Sequence, residues 1–184
     1  MWNLVTLDGF FDGATNWDLG WHESAWCDEL ERFSLEQLRT ADRLLFGRVT
    51  YEGMAAYWPA ADGEVAELMT RVPKVVFSRT LERAEWNNTT LVNRDAPAEV
   101  SELKLDGDKN TLVFGSGELC AALMRQSLFD EYRLVVAPTI LGAGRTLFGH
   151  GPSEPELDLL EARALSSGAV LLRYEPRFIR GAGA

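Results

Sequence analysis

The sequence predicts an α/β fold: a mixed, mostly parallel sheet with antiparallel C-terminal strands, covered by helices. Three observations carry this expectation. Short apolar runs of β type alternate with amphipathic stretches along most of the chain. Several of the early runs empty into a glycine- or hydroxyl-containing turn and then into a helix-like pattern. The last two runs, 157–165 and 169–174, are separated only by Ser166-Ser167-Gly168, which suits an antiparallel pair.

Taken in order, Trp2 to Leu7 reads as a strand ending at Asp8-Gly9, and 12–16 is loop chemistry. Trp26, Leu30, Phe33 and Leu38 recur at helical spacing among acidic residues, predicting a helix from about Ser24 to Thr40. Arg43 to Phe46 is a short buried strand stopped by Gly47, and a helix from Thr50 to Tyr57 ends before Pro59. A loop with a short helix spans 60–71. Lys74 to Ser78 and Thr90 to Val92 are strands, and Pro97 sits in the first turn of a helix reaching Leu105. The run from Leu112 to Phe114 leads through Gly115-Ser116-Gly117 into a helix from Glu118 to about Ser127. Tyr132 to Ala137 is a further strand, followed by the turn-rich stretch 138–145 and then Thr146-Leu147-Phe148.

The 184 residues suit one domain, taken as 1–180, with a Gly/Ala tail at 181–184 expected to be flexible. A net charge of −10 argues against general binding to nucleic acid or to an anionic membrane. No run is long enough to span a bilayer, and the N-terminus has no basic leader pattern. Cys27 and Cys120 stand far apart without a CxxC, and the only histidines are His22 and His150. A zinc site is therefore not expected, and a reducing cytoplasm is.

Three strand ends carry anion-binding chemistry. Gly115-Ser116-Gly117 joins an apolar run to a helix N-terminus, where free N–H groups and the helix dipole meet a phosphate; a plain strand-to-helix turn is the alternative. Gly47-Arg48-Val49-Thr50 offers a guanidinium and a hydroxyl at another helix start, or simply a capped helix. Ser78-Arg79-Thr80 sets a hydroxyl beside a guanidinium, a pairing suited to a phosphate monoester, or else leaves a solvated turn arginine. In an open α/β sheet, ligands gather at such carboxyl ends of strands.

Several segments, in order, resemble the dihydrofolate reductase-like superfamily, and within it the reductase (RibD C-terminal) domain of bifunctional riboflavin-biosynthesis enzymes. They are Val5-Thr6-Leu7-Asp8-Gly9-Phe10, Ala41 to Glu52, Lys74 to Leu81, Phe114 to Leu119, Asp130-Glu131-Tyr132 and Pro138 to Gly144. The resemblance implies a three-layer fold and NADPH as cofactor. It places Gly47, Arg48 and Thr50 by the cofactor phosphates and Ser78 and Arg79 at the adenosine 2′-phosphate. Gly115, Ser116, Gly117, Glu118 and Leu119 would wrap the pyrophosphate, and the strand end with Thr6, Leu7 and Asp8 would flank the nicotinamide.

The substrate positions depart from that pattern. Phe114 stands where riboflavin reductases tend to carry a glutamate facing the substrate. The stretch Met54-Ala55-Ala56-Tyr57-Trp58-Pro59 lacks the acidic pair and basic residue of those enzymes. Dihydrofolate reductases instead hold and help protonate their substrate with an acid on the first helix, where this chain has Asp28 and Glu31; a solvated acidic face is the alternative. Trp17, Trp21, Trp26 and Trp58 suit either flat walls for a planar heterocycle or core and interface packing. Arg145, after Gly142-Ala143-Gly144, ends either a structural crossover or a further anion turn.

The expected function is an NADPH-dependent reductase of a small planar heterocycle, pyrimidine- or pterin-like. The rivals are a non-catalytic NADP(H)-binding module, a 5-amino-6-(5-phosphoribosylamino)uracil reductase, and a purely structural α/β domain. The family and the tryptophan content also imply a homodimer.

Overall fold

The computed structural model describes residues 1–15, 17–105, 109–148 and 155–177. Asn16, His150 and the 181–184 tail singled out above lie outside the described residues. The strands are β1 (Trp2–Thr6), β2 (Phe10–Asp12), β3 (Arg43–Gly47), β4 (Lys74–Phe77), β5 (Thr89–Val92), β6 (Thr111–Val113), β7 (Tyr132–Ala137), β8 (Arg145–Thr146), β9 (Leu157–Ala164) and β10 (Val170–Pro176). The α-helices are α1 (Asp28–Thr40), α2 (Arg48–Tyr57), α3 (Glu64–Arg71), α4 (Ala96–Lys104) and α5 (Gly117–Arg125).

The four strands β5-β4-β3-β6 run parallel, and β1 pairs in parallel with β7. A parallel bridge from Trp2 to Phe114 joins the two halves, so the strand order continues β5-β4-β3-β6-β1-β7-β10-β9. β10 is antiparallel to both β7 and β9, as the short Ser166–Gly168 turn requires. Gly168 takes φ +85° there, a conformation that costs glycine little.

Alternation along β3 shows why the sheet is covered on both faces. Leu44 and Phe46 pack with Leu38 of α1, Tyr51 of α2, and Leu68 and Met69 of α3. Leu45 points the other way, into a cluster with Val100 of α4 and Leu119 and Leu123 of α5. A third cluster seats Leu30 and Phe33 of α1 on Leu4, Val135 and Leu171. The result is a helix–sheet–helix sandwich with its strand C-termini on one edge, where β3, β4 and β6 hand over to turns and helices.

Three local departures from the sequence reading have simple causes. Residues 20–24 form a short 3-10 helix, and extended backbone at Cys27 (φ −162°) delays α1 until Asp28. Asp28, Glu29 and Glu31 then occupy the first turn, at the positive end of the helix dipole. α2 starts at Arg48, directly after Gly47, not at Thr50. The small antiparallel pair β2–β8 is too short to leave an alternating pattern in the sequence.

Lys74, almost fully buried, closes α3. Its Nζ donates to the carbonyls of Met69 (3.0 Å), Thr70 (2.8 Å) and Val72 (2.8 Å), which the helix end leaves without partners. The ammonium also lies 4.4 Å from the centroid of the Trp86 ring. Burial lowers its pKa to about 8. No helix among the described residues is long and apolar enough to cross a membrane.

Candidate active-site cleft

A cleft of about 1690 Å³ opens at the C-terminal ends of the parallel strands. It is lined by the turns after β3, β4 and β6, by β1 and α1, and by the segment linking α2 to α3. Of the residues singled out in the sequence, Gly47, Arg48, Thr50, Ser78, Arg79, Gly115, Ser116, Gly117, Glu118, Leu119 and Glu31 all line it.

The turns after β3 and β6 are locked to one another. The Ser116 N–H donates to Thr50 Oγ1 (3.0 Å), and the Gly47 N–H donates to Ser116 Oγ (3.0 Å). The Ser116 hydroxyl in turn donates to the Phe114 carbonyl oxygen (3.1 Å). Ser116 sits in the left-handed region at φ 61°, next to Gly115 at φ +57°. These two residues turn the chain sharply enough to aim the start of α5 into the cleft. Neither α2 nor α5 has a side-chain cap, so their first N–H groups remain free for an anion. Phe11 packs on the backbone of Gly117: a Cβ there would lie 2.6 Å from Phe11 Cζ, so any side chain would displace that ring.

After β4, Ser78 Oγ accepts from the N–H groups of Thr80 (3.2 Å) and Leu81 (2.9 Å), which shapes the turn that presents Arg79. Arg79 is exposed and makes no ion pair among the described residues. Arg48 differs: its guanidinium closes on Glu52 at 2.8 Å, one helical turn along. What the turn after β3 contributes to the cleft is therefore mainly backbone N–H groups and the Thr50 hydroxyl.

Thr6, Leu7, Asp8 and Asp28 are not among the lining residues. Thr6 and Asp8 tie the end of β1 to the turn before β8. Thr6 Oγ1 donates to Asp8 Oδ1 (2.6 Å), and the N–H groups of Leu141 (3.2 Å) and Gly142 (2.8 Å) donate to the same carboxylate. These bonds, that of Thr6 first, pull the Asp8 pKa down to about 2. Leu7 is 65% exposed. Asp28 is exposed, and its carbonyl accepts from Arg32 Nε (3.2 Å). Glu31, one turn further along α1, is the acid of that helix that reaches the cleft.

Trp17, Trp26 and Trp58 line the cleft, whereas Trp21 is buried in the core cluster beneath α1. Trp17 packs directly on the backbone of α2: a Cβ at Gly53 would sit 2.3 Å from its ring. Trp58 Nε1 donates to Met54 Sδ at 2.9 Å. Phe114 is buried and meets Trp2 edge-on, with centroids 4.7 Å apart. The position before the glycine turn is thus filled by an apolar aromatic contact.

The sequence reading missed a carboxylate hub. Asp12 is buried, accepts from the N–H groups of Gly13 (3.0 Å), Asp18 (2.9 Å) and Trp17 (3.4 Å), and pairs with Arg145 Nη2. Arg145 in turn lies 5.6 Å from the Phe11 ring centroid. The hub fixes the loop that carries Trp17. Asp12-Gly13 is a turn signal, but nothing local in the sequence tells that it meets Arg145. His22, also missed, lines the cleft beside Trp21, and burial lowers its pKa to about 4.

Comparison with known proteins agrees on fold and family. The sequence profile described as the RibD C-terminal domain matches residues 1–171. An uncharacterized Bacillus subtilis (strain 168) protein, YyaP, is 30% identical over 177 residues, covering 92% of this chain and 90% of its own. A second from the same organism, YwjB, is 27% identical and is covered to 92%. Among solved structures, a Shewanella sp. PV-4 protein named for riboflavin biosynthesis superposes with TM-score 0.80 at 19% identity, over 96% of this chain and 97% of that one. A pyrimidine reductase-like protein of Corynebacterium diphtheriae gives TM-score 0.67 at 11% identity, over 95% and 89%. A bifunctional deaminase/5-amino-6-(5-phosphoribosylamino)uracil reductase of Thermotoga maritima gives 0.63 at 17%, over 95% of this chain and 55% of that one.

Proposed function

Because the chain belongs to the RibD C-terminal domain family, we propose that it is an NADPH-dependent reductase acting on a small planar heterocycle, pyrimidine- or pterin-like. The observation that carries this reading is the Thr50–Ser116 lock. It sets two uncapped helix N-termini side by side on one cleft, within reach of the Ser78-Arg79 turn. A diphosphate carries two anionic groups, and each finds a helix start. The adenosine 2′-phosphate goes to Ser78 and to Arg79, which makes no ion pair among the described residues. The residues present therefore fit the cofactor.

When bound, NADPH supplies a hydride to a C=N or C=O bond of the substrate. The chain's part is to orient and to exclude water. Trp17, Trp26 and Trp58 offer flat apolar walls for a ring. Glu31 is the candidate proton donor, with water as the other source. In an acidic protein without a general phosphate field, anion binding rests on these few local groups.

The test is titration with NADPH followed by assays of its oxidation with pyrimidine, pterin and flavin-like acceptors. Saturable binding with turnover of at least one acceptor is expected. Binding without turnover across the whole panel would point to a non-catalytic NADP(H)-binding module, and no saturable binding would end the cofactor reading.

A further inference from the structure

The charged residues of the cleft are divided unevenly. The lining contributed by the turns after β3 and β4 and by the approach to α4 includes Arg79, together with Arg48 and Arg94, whose charges Glu52 and Glu99 already balance. Among the described residues, the lining contributed by β1, residues 11–26, α1 and residues 54–65 contains no lysine or arginine. It does contain Glu23, Glu31 and Asp62, together with Asp12, whose charge Arg145 already balances. His22 on this side adds no positive charge at neutral pH, since burial holds it deprotonated down to about 4.

The same side is aromatic. Trp17 is seated on Gly53, and its backbone is held by the Asp12 carboxylate. Trp26 is 45% exposed, and Trp58 meets Tyr57 edge-on at 4.9 Å. Flat aromatic faces bind rings and cations well. A phosphate ester placed here would meet Glu23, Glu31 and Asp62, while the guanidinium of Arg145 is already paired with Asp12, and a dianion is repelled where no cation is left to pair with it.

We infer that the aromatic end of the cleft takes an unphosphorylated planar ring, neutral or cationic, and discriminates against phosphate esters of that ring. The inference rests on the cofactor reading above, which assigns the arginine-bearing end to NADPH. It names the charge class of the substrate for the opposite end.

The experiment uses the whole protein saturated with NADP⁺, which blocks the anion-binding end and cannot donate a hydride. Binding is measured by equilibrium dialysis for riboflavin against riboflavin 5′-phosphate, guanosine against guanosine 5′-phosphate, and the planar cation proflavine. At least one unphosphorylated ring is expected to bind tenfold or more tightly than its phosphate ester. Glu31→Lys, at an exposed helix position, should narrow that gap, and Trp17→Ala should weaken ring binding while NADP⁺ is retained. Equal or tighter binding of the phosphorylated member in every pair, or no binding by any neutral or cationic ring, overturns the inference. NADP⁺ retention is read first and separately. If NADP⁺ does not saturate, the cofactor reading falls by itself, and the ring pairs are compared on the free protein by the same criterion.

Discussion

The Ser116 N–H donates to the Thr50 hydroxyl oxygen across 66 residues of sequence, and this bond couples the start of α2 to the start of α5. Both partners are buried, so the N–H has no water to turn to if the acceptor is removed. Thr50→Val keeps the shape and removes the acceptor. It should destabilise the fold by about 1–3 kcal/mol, the usual cost of an orphaned buried donor. Thr50→Ser should recover most of the loss. Urea unfolding of the three proteins reads this directly, and NADPH affinity should fall in the same order. Unchanged stability in Thr50→Val would show that the coupling carries no energy.

Among the described residues no carboxylate pairs with Arg79, in contrast to Arg48, which is paired with Glu52. A free guanidinium beside the Ser78 hydroxyl should therefore be spent on the 2′-phosphate. Arg79→Ala is expected to weaken NADPH by tenfold or more, about 1.4 kcal/mol, and to leave NADH little changed. Calorimetric titration of both dinucleotides checks it; equal losses would remove Arg79 from that role.

Asp12 and Arg145 form a lopsided ion pair: the carboxylate is 5% exposed and the guanidinium 41%. Removing the guanidinium leaves a buried charge that still has three N–H donors. Removing the carboxylate strands those donors as well. Asp12→Ala should therefore cost more than Arg145→Ala, about 2–3 kcal/mol against about 1, both below the range for a fully buried pair because Arg145 reaches water. The Asp12 variant should also free the loop carrying Trp17, seen as a red shift in tryptophan emission. A larger loss for Arg145→Ala would reverse this ranking.

His22 predicts an acid limb in stability. Its pKa is about 4 in the folded protein and 6.5 in the unfolded chain, because burial penalises the imidazolium. Above 6.5 neither state binds the proton. As pH falls from 6.5 towards 4 only the unfolded chain does, so stability declines, by about 3 kcal/mol at the end of the window. Glu131 extends the decline. Although burial opposes it, hydrogen bonds from Arg133 and Arg173 bring its pKa down to about 2, so its contribution is lost as pH drops below the ordinary 4.5. His22→Gln should flatten the upper window and leave the lower one. Thermal melts between pH 7 and 3 separate the two; a His22→Gln curve identical to the parent's would refute the assignment.

Most strands could be read from the chain because they are local. Leu44-Leu45-Phe46 is apolar on both faces, as a central parallel strand must be, and Gly47 marks its end. The helix starts were less legible. Trp26 fits the periodicity of α1, yet extended backbone at Cys27 separates it from the helix, and that break leaves no compositional mark. β2 and β8 are defined by each other, so neither is visible alone.

The α/β order of elements and the three turn sequences at the strand ends were legible in the chain alone, because apolar periodicity, glycine turns and hydroxyl–guanidinium pairs are properties of short segments. Which distant residues those ends meet emerged with the packed fold. It joined Thr50 to Ser116 and Asp12 to Arg145, seated Trp17 on Gly53, drew Trp21 into the core, and brought Glu31 to the cleft in place of Asp28. Each of these outcomes depends on which distant surfaces meet when the sheet closes, and the free energy of such a contact is not encoded in either segment alone.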